Sequence, residues 1–245
     1  MRLTRCYVAA PLHAGDDRLL PRDVSAHLAR VLRVRAGQML TLFDGRGGEY
    51  DARIVAIDRR GVQVQIDLHR SVERESPLAV TLLQALARGE RMDFVVQKAT
   101  ELGVAAIVAM GGDRSVVRLD AEGLARRCEH WRAVAISACE QCGRNRVPTI
   151  SHAADLASAC GEVDATSVRL LLAPDADQTL IAVTRQAARI ALAVGPEGGF
   201  SDEELSLAQQ QGFTFCRLGP RVLRAETAPL AALAAIQAVA GDFLS

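Results

Sequence analysis

Aromatic side chains are scarce in this sequence: one Trp, two Tyr and six Phe make up 4% of 245 residues. A core of sizeable extent must therefore be built from aliphatic residues, which the 49% hydrophobic content supplies. Lysine is scarcer, with Lys98 standing alone against 28 arginines, a skew that points to a coding bias rather than a phosphate-binding adaptation. Net charge is missing altogether, since 29 basic and 29 acidic residues cancel. That excludes a surface coated in nucleic acid, though not a local basic patch. Long apolar runs are also lacking. The longest, near Pro229 to Ala240, is broken by Gln237 and is too short to span a bilayer, and the first six residues carry no apolar signal segment, so a cytoplasmic protein without a membrane partner is expected.

Cysteine is present at 6, 128, 139, 142, 160 and 216 without the dense spacing of a secreted disulfide framework, which suits a reducing compartment. Cys139-x-x-Cys142 has no second pair to complete four ligands, and Cys128, His130 and His152 are scattered, so no metal site is expected. The dinucleotide fingerprint G-x-G-x-x-G after an early strand is absent, as is G-x-x-x-x-G-K-[ST]. A Rossmann-type cofactor site and phosphoryl transfer are both disfavoured.

What is there falls into two patterns. Residues 1–77 carry 13 Arg and 10 acids, a charge of +3, and residues 78–245 carry 16 cations and 19 acids, a charge of −3. In the first part Arg5–Val8 reads as a strand and Pro21–Val34 as a helix, with Val24, Leu28, Val31 and Leu32 at helical spacing. Gln38–Phe43 and Tyr50–Ile57 alternate as strands joined by the turn Asp44-Gly45-Arg46-Gly47-Gly48, and Arg59-Arg60-Gly61 turns into Val62–Ile66. Short antiparallel strands with one helix suggest a small β-barrel over 1–70. Residues 71–77, polar, aperiodic and ending in Pro77, read as a linker.

From 78 to 245 strands alternate with helices, the signature of an α/β domain with a parallel sheet. Strands are expected at Leu78–Leu86, Val104–Met110, Val168–Ala173 and Ile190–Val194, and helices at Arg91–Leu102, Glu122–Cys142, Thr179–Ala188 and Pro229–Val239. Thr227 is the expected N-cap of the last helix, with Pro229 in its first turn.

Two stretches stand out, Gly195-Pro196-Glu197-Gly198-Gly199-Phe200-Ser201 and Leu218-Gly219-Pro220-Arg221-Val222-Leu223-Arg224-Ala225-Glu226-Thr227-Ala228. Each follows a short strand and opens a helix, the first through the capping box Ser201-Asp202-Glu203-Glu204. Three glycines and a proline in six residues leave backbone bare enough to press against a flat ligand and bind its edges.

Together with Arg88-Gly89-Glu90-Arg91-Met92, Gln97-Lys98-Ala99-Thr100-Glu101-Leu102-Gly103-Val104 and Cys139-Glu140-Gln141-Cys142-Gly143-Arg144-Asn145-Arg146-Val147-Pro148, these stretches resemble the SPOUT class of S-adenosylmethionine-dependent RNA methyltransferases. Most closely they resemble its 16S ribosomal RNA uridine-N3 methyltransferases, over essentially the whole chain. The resemblance implies a PUA-like RNA-binding barrel followed by a SPOUT domain whose C-terminal segment forms a trefoil knot, and a homodimer. It implies S-adenosylmethionine as cofactor, held by Leu172, Gly195, Pro196, Glu197, Gly198, Leu218, Gly219 and Leu223, and the small ribosomal subunit as partner. Arg5, Arg30, Arg33, Arg88, Lys98, Arg144 and Arg146 are the RNA-binding candidates.

Chemistry then assigns roles. Uridine N3 becomes a good nucleophile only as its proton leaves, and arginine is not deprotonated in proteins, so Arg224 suits stabilisation of the developing negative charge. Glu197 and Glu226 are the available carboxylates, and Glu226 could equally pair with an arginine or cap the final helix. The loop Ala173-Pro174-Asp175-Ala176-Asp177 departs from the family's pattern, where a His or Glu often follows the strand. Two alternatives stay open: ribose 2′-O methylation on the same fold, and an RNA-binding module with an idle cofactor loop.

Overall fold

The computed structural model describes residues 4–115, 120–184 and 187–244, with the backbone alone at position 121. The chain divides into two compact units, Met1–Glu75 with Cys139–Val147, and Ser76–Ala138 with Pro148–Ser245.

Unit 1 holds β1 (Thr4–Tyr7), β2 (Asp17–Leu19), α1 (Arg22–Ala26), β3 (Met39–Phe43), β4 (Glu49–Asp58) and β5 (Gly61–Arg70). They form one sheet in the order β1-β3-β4-β5-β2, antiparallel except for the β1–β3 pair. Among the described residues β1 and β2 stand at the two ends of this hydrogen-bonded order. Alternation decides the faces: Ala52 and Ile54 on β4 and Val62, Val64 and Ile66 on β5 are buried with Leu28, Leu40 and Leu42.

The expected helix over Pro21–Val34 is shorter and irregular. After α1 the chain continues as a π turn, His27–Val31, and Arg33 lies at φ +51. An i→i+5 turn slips the helical register. Leu28 stays buried, but Val31 and Leu32 turn outward, Val31 to 66% exposure.

Cys139–Val147, which lies far along the chain from the rest of unit 1, is fastened to it by ion pairs and hydrogen bonds. Glu140 Oε1 accepts from the Tyr7 amide at 2.9 Å, and Asn145 Nδ2 donates to Val72 O at 2.7 Å. Arg74 reaches both Glu49 and the Gly143 carbonyl, at 3.1 and 2.9 Å.

Unit 2 contains β6 (Ala79–Ala85), α2 (Arg91–Glu101), β7 (Ala106–Met110), most of α3 (Ala121–Cys142), β8 (Thr149–Ala153), α4 (Leu156–Cys160), β9 (Val168–Leu172), β10 (Gln178–Thr179), α5 (Leu180–Thr184), β11 (Arg189–Val194), α6 (Asp202–Gln210), β12 (Thr214–Arg217) and α7 (Thr227–Ala240). The expected helix Thr179–Ala188 is thus described as far as Thr184; its positions 185 and 186 lie outside the described residues.

The seven strands form one sheet, every described ladder parallel, in the order β10-β12-β9-β11-β6-β7-β8. Central strands covered on both faces read as continuous apolar runs, as Ile190–Val194 does. Leu83, Val108, Leu171, Ala191 and Ala193 pack against Leu156 and Ala159 of α4 and Ala208 of α6. Strand residues of the other parity, such as Leu82, Ile107 and Leu192, are equally buried, and α7 packs against β11, α2 and α5.

Candidate functional site

The carboxyl ends of β9, β11 and β12 open into a cavity of about 510 Å³ in unit 2. Ligands of open parallel sheets bind in such a place, because the loops that follow the strands converge there. All three loops contribute. Leu172 ends β9 and Ala173–Ala176 follow it, Val194 ends β11 and Gly195, Pro196, Gly199 and Phe200 follow it, and Leu218, Gly219, Leu223 and Ala225 follow β12. The cavity lies within the size range of small-molecule sites, about 300–1,000 Å³.

Local chemistry holds each loop. Ser201 and Glu204 form the expected capping box of α6: Ser201 Oγ accepts from Glu204 N at 3.1 Å, and Glu204 Oε2 from Ser201 N at 2.7 Å. The same two side chains bind Asp113, through its carboxylate at 2.6 Å and its amide at 3.2 Å. Arg217 Nη1 donates to Ala176 O at 2.6 Å and so pins the β9 loop, whose role the sequence left open, against the wall of the cavity. Gly219 sits at φ +77, and a Cβ placed on it would have no neighbour within 4 Å, so its bare backbone faces open space.

The structure brings most of the sequence-derived cofactor residues to this one cavity. Leu172, Gly195, Pro196, Glu197, Leu218, Gly219 and Leu223 all line it. Gly198 does not. A Cβ there would lie 3.2 Å from Arg114 Cβ, so this glycine makes room for Arg114, and Gly199 takes the expected place at the wall.

Glu197, Glu226 and Arg224 are not equivalent. Arg91 Nη1 donates to Glu197 Oε1 at 2.8 Å, and Arg91 Nε stands 3.8 Å from Glu226 Oε1. Glu226 occupies the N-cap position of α7 but makes no side-chain cap, which corrects the expectation of Thr227 there: Thr227 is the first helical residue, and the Arg224 carbonyl accepts from the amides of Thr227 and Ala228, both at 2.9 Å. Glu226 Oε2 is buried without a hydrogen-bond partner among the described residues. The Arg224 side chain is exposed. Sequence reasoning placed Arg91 in a motif yet gave it no role; its helix-start position after β6, a strand next to β11, was the available signal.

Two RNA-binding candidates, Arg5 and Arg144, prove to be internal, and a third, Arg146, is exposed but paired. Arg5 binds Glu49 and Asn145 Oδ1, the latter at 2.7 Å, with its side chain 6% exposed. Arg144, equally buried, forks onto Glu75, and Arg146 Nε meets Glu73 at 2.9 Å. A buried guanidinium already sheathed by carboxylate and carbonyl oxygens is not free for phosphate. Burial would raise the Glu49 carboxyl, but hydrogen bonds from Arg74 and Arg5 outweigh it and hold the group below its ordinary value. Arg30, Arg33 and Arg88 are exposed, and Lys98 is part-exposed beside Glu101 at 2.8 Å.

Burial pushes the thiols of Cys6, Cys139 and Cys216 up to about 12, so they serve as small apolar residues and not as nucleophiles.

Residues 74–237 match the model of an RNA methyltransferase domain, and residues 20–67 that of an RNA methyltransferase PUA domain. The ribosomal RNA small subunit methyltransferase E of Mycobacterium bovis is 32% identical, covering 94% of this chain and 89% of its own length. The chain belongs to the ribosomal RNA small subunit methyltransferase E family. The Buchnera aphidicola member from the pea-aphid strain is 28% identical over 99% of this chain and 96% of its own. Among solved structures, the Neisseria gonorrhoeae family member bound to S-adenosylmethionine superposes with a TM-score of 0.90 at 38% identity, covering 99% of this chain and all of that one. A Legionella pneumophila methyltransferase in complex with the same cofactor gives 0.95 at 40% identity, with the same coverage.

The residues present fit such a cofactor. Leu172, Phe215, Leu218 and Leu223 offer apolar walls, Gly195 and Gly219 offer bare backbone, and charges of both signs line the cavity, Asp175 and Glu197 beside Arg114 and Arg221. That mixture suits a ligand with an apolar purine at one end and cationic and anionic groups at the other.

Proposed function

We propose that this protein transfers a methyl group from S-adenosylmethionine to N3 of a uridine in 16S ribosomal RNA of the small subunit. The observation that carries the reading is the convergence of both glycine-bearing loops on one cavity at the carboxyl edge of a parallel sheet. The bound cofactor supplies an electrophilic methyl group. Leu172, Gly195, Pro196, Glu197, Leu218, Gly219 and Leu223 hold it by packing and by backbone groups. Arg224, exposed and without an ion-pair partner among the described residues, lies on the loop that closes the cavity and holds the negative charge that develops on a uracil oxygen as the N3 proton leaves. Glu197 is tied to Arg91, whereas one oxygen of Glu226 has no hydrogen-bond partner among the described residues.

Arg30, Arg33, Arg88, Lys98 and Arg146 remain as phosphate-binding cations. Further parts of the reading are a cytoplasmic setting, a C-terminal trefoil knot and a homodimer assembled on α7. Leu230, Ala231, Ala234, Ala235 and Ala238 of that helix stay half-buried, which supports a partner there. Mass spectrometry of 16S ribosomal RNA from cells with and without the protein tests the activity. A single uracil-N3 methyl lost in its absence and restored by its return is expected; loss of a ribose 2′-O-methyl instead would overturn the target, and no change would overturn the activity.

A further inference from the structure

We infer that Arg91 is the positioning residue that sets the distance between the two glycine-bearing loops, and that methyl transfer depends on it. The inference rests on the functional reading above and adds to it a residue outside both loops.

Arg91 is the first residue of α2, on the connection that leaves the carboxyl end of β6. Glu197 belongs to the loop after β11, and Glu226 to the loop after β12. In the sheet β11 adjoins β6, whereas β12 lies beyond both β11 and β9. Backbone hydrogen bonds between neighbouring strands therefore do not fix the separation of the two loops directly. One guanidinium does: Nη1 takes Glu197 Oε1 at 2.8 Å, and Nε faces Glu226 Oε1 at 3.8 Å. A planar fork with donors on separate edges can hold two carboxylates at a set spacing, which an ammonium on a flexible stem does poorly.

The network is incomplete on one side. Glu226 Oε2 is buried, with no donor among the described residues. Such an acceptor is unfavourable until a donor arrives, and the ligands of the proposed reaction bring N–H and O–H groups to this edge of the sheet. Arg91 thus faces one oxygen of Glu226 across a long ion pair, while the other oxygen stays buried without a donor among the described residues. The same contact fixes the Arg224–Glu226 segment against the loop that grips the cofactor. A site assembled from two loops loses rate when their separation drifts, because reacting groups must meet in register.

The test compares the parent with Arg91→Met and Arg91→Lys, all checked for folding by thermal melting. Methyl transfer to a 16S ribosomal RNA fragment and backbone hydrogen exchange over 195–200 and 218–226 are measured on each. Arg91→Met should lose about a hundredfold in kcat with the KM for S-adenosylmethionine little changed, and Arg91→Lys should lose less. Exchange should quicken in both loops of Arg91→Met, whether or not methyl transfer is detected. Unchanged exchange in either loop overturns the inference, as does a kcat for Arg91→Met equal to that of an active parent. A parent that neither binds S-adenosylmethionine nor transfers methyl overturns the functional reading instead, and the exchange result then decides the role of Arg91 by itself. If Arg91→Met fails to fold, Arg91→Lys decides: parent-like exchange and kcat in it overturn the need for a two-edged fork.

Discussion

Arginine–glutamate pairs occur in both units, and the two sets differ in how far they are exposed. In unit 1, Arg144 is buried against Glu75, which accepts from both its Nε and its Nη2, and Arg5 is buried against Glu49, the Arg144 carbonyl and Asn145 Oδ1, with its Nε left without a partner among the described residues. In unit 2, Arg91 is 42% exposed, one of its two carboxylate contacts is long, and a carboxylate oxygen beside it has no donor among the described residues. A buried, multiply bonded arginine has little surface to offer a ligand. A half-exposed pair whose Glu197 lines a cavity has more. The residue types are identical, so the distinction between fastener and functional group lies chiefly in exposure.

The largest expected effect lies on the buried side. Arg144→Met leaves Glu75 facing a site that has lost its cation, and removing one partner of a buried pair costs about 3–5 kcal/mol, toward the lower end here because Glu75 is partly exposed. Denaturant unfolding should show that loss, while S-adenosylmethionine binding per folded molecule stays unchanged. On the exposed side the signs reverse. Arg224→Ala should unfold like the parent and bind cofactor normally, yet transfer methyl about a hundredfold more slowly or worse, as when a charge-stabilising donor is removed. A destabilised Arg224→Ala, or a fully active one, would erase the contrast.

Acid sharpens it further. Glu49 has its pKa depressed below the ordinary 4.5, so its pairs with Arg5 and Arg74 contribute stability that is fully present above that value and is lost as pH falls through the lower, folded-state value. Melting followed from pH 6 downward should therefore fall more steeply for the parent than for Glu49→Gln; parallel curves would mean that the pairs carry no net stability. The smallest effect belongs to the exposed cations. Replacing Arg30 and Arg33 by Ala should flatten the log–log salt dependence of RNA binding by about one unit for each phosphate that is no longer neutralised, with no change in stability.

Much of unit 2 was legible in the sequence, because its signals are local. The buried run Ile190–Val194, the capping box at Ser201–Glu204 and the glycines at 195 and 219 each announce themselves within a few residues. Thr149–Ala153 went unread: it is an edge strand with a mixed burial pattern, and Thr, Ser and His interrupt the apolar alternation. The π turn at His27–Val31 escaped because helical spacing assumes a constant register, and one wide turn is enough to put Val31 outside. The fasteners were illegible for a stronger reason. Arg144 and Glu75 are 69 positions apart, and Arg5 and Asn145 are 140 apart, so nothing nearby in the chain marks them as partners. Without their partners, Arg144 and Arg146 look like cations in an irregular, glycine-bearing stretch, the usual appearance of an RNA contact.

Calorimetric titration with S-adenosylmethionine of the parent, Gly219→Val and Gly198→Val tests most directly that the glycine-bearing loops form the cofactor site. Gly219 needs its positive φ and faces open cavity, whereas Gly198 faces Arg114 and does not line the cavity. The parent should bind one cofactor per chain, folded Gly219→Val should lose that binding, and Gly198→Val should keep more of it. Equal affinity of Gly219→Val and the parent, or a parent that does not bind, would contradict the account.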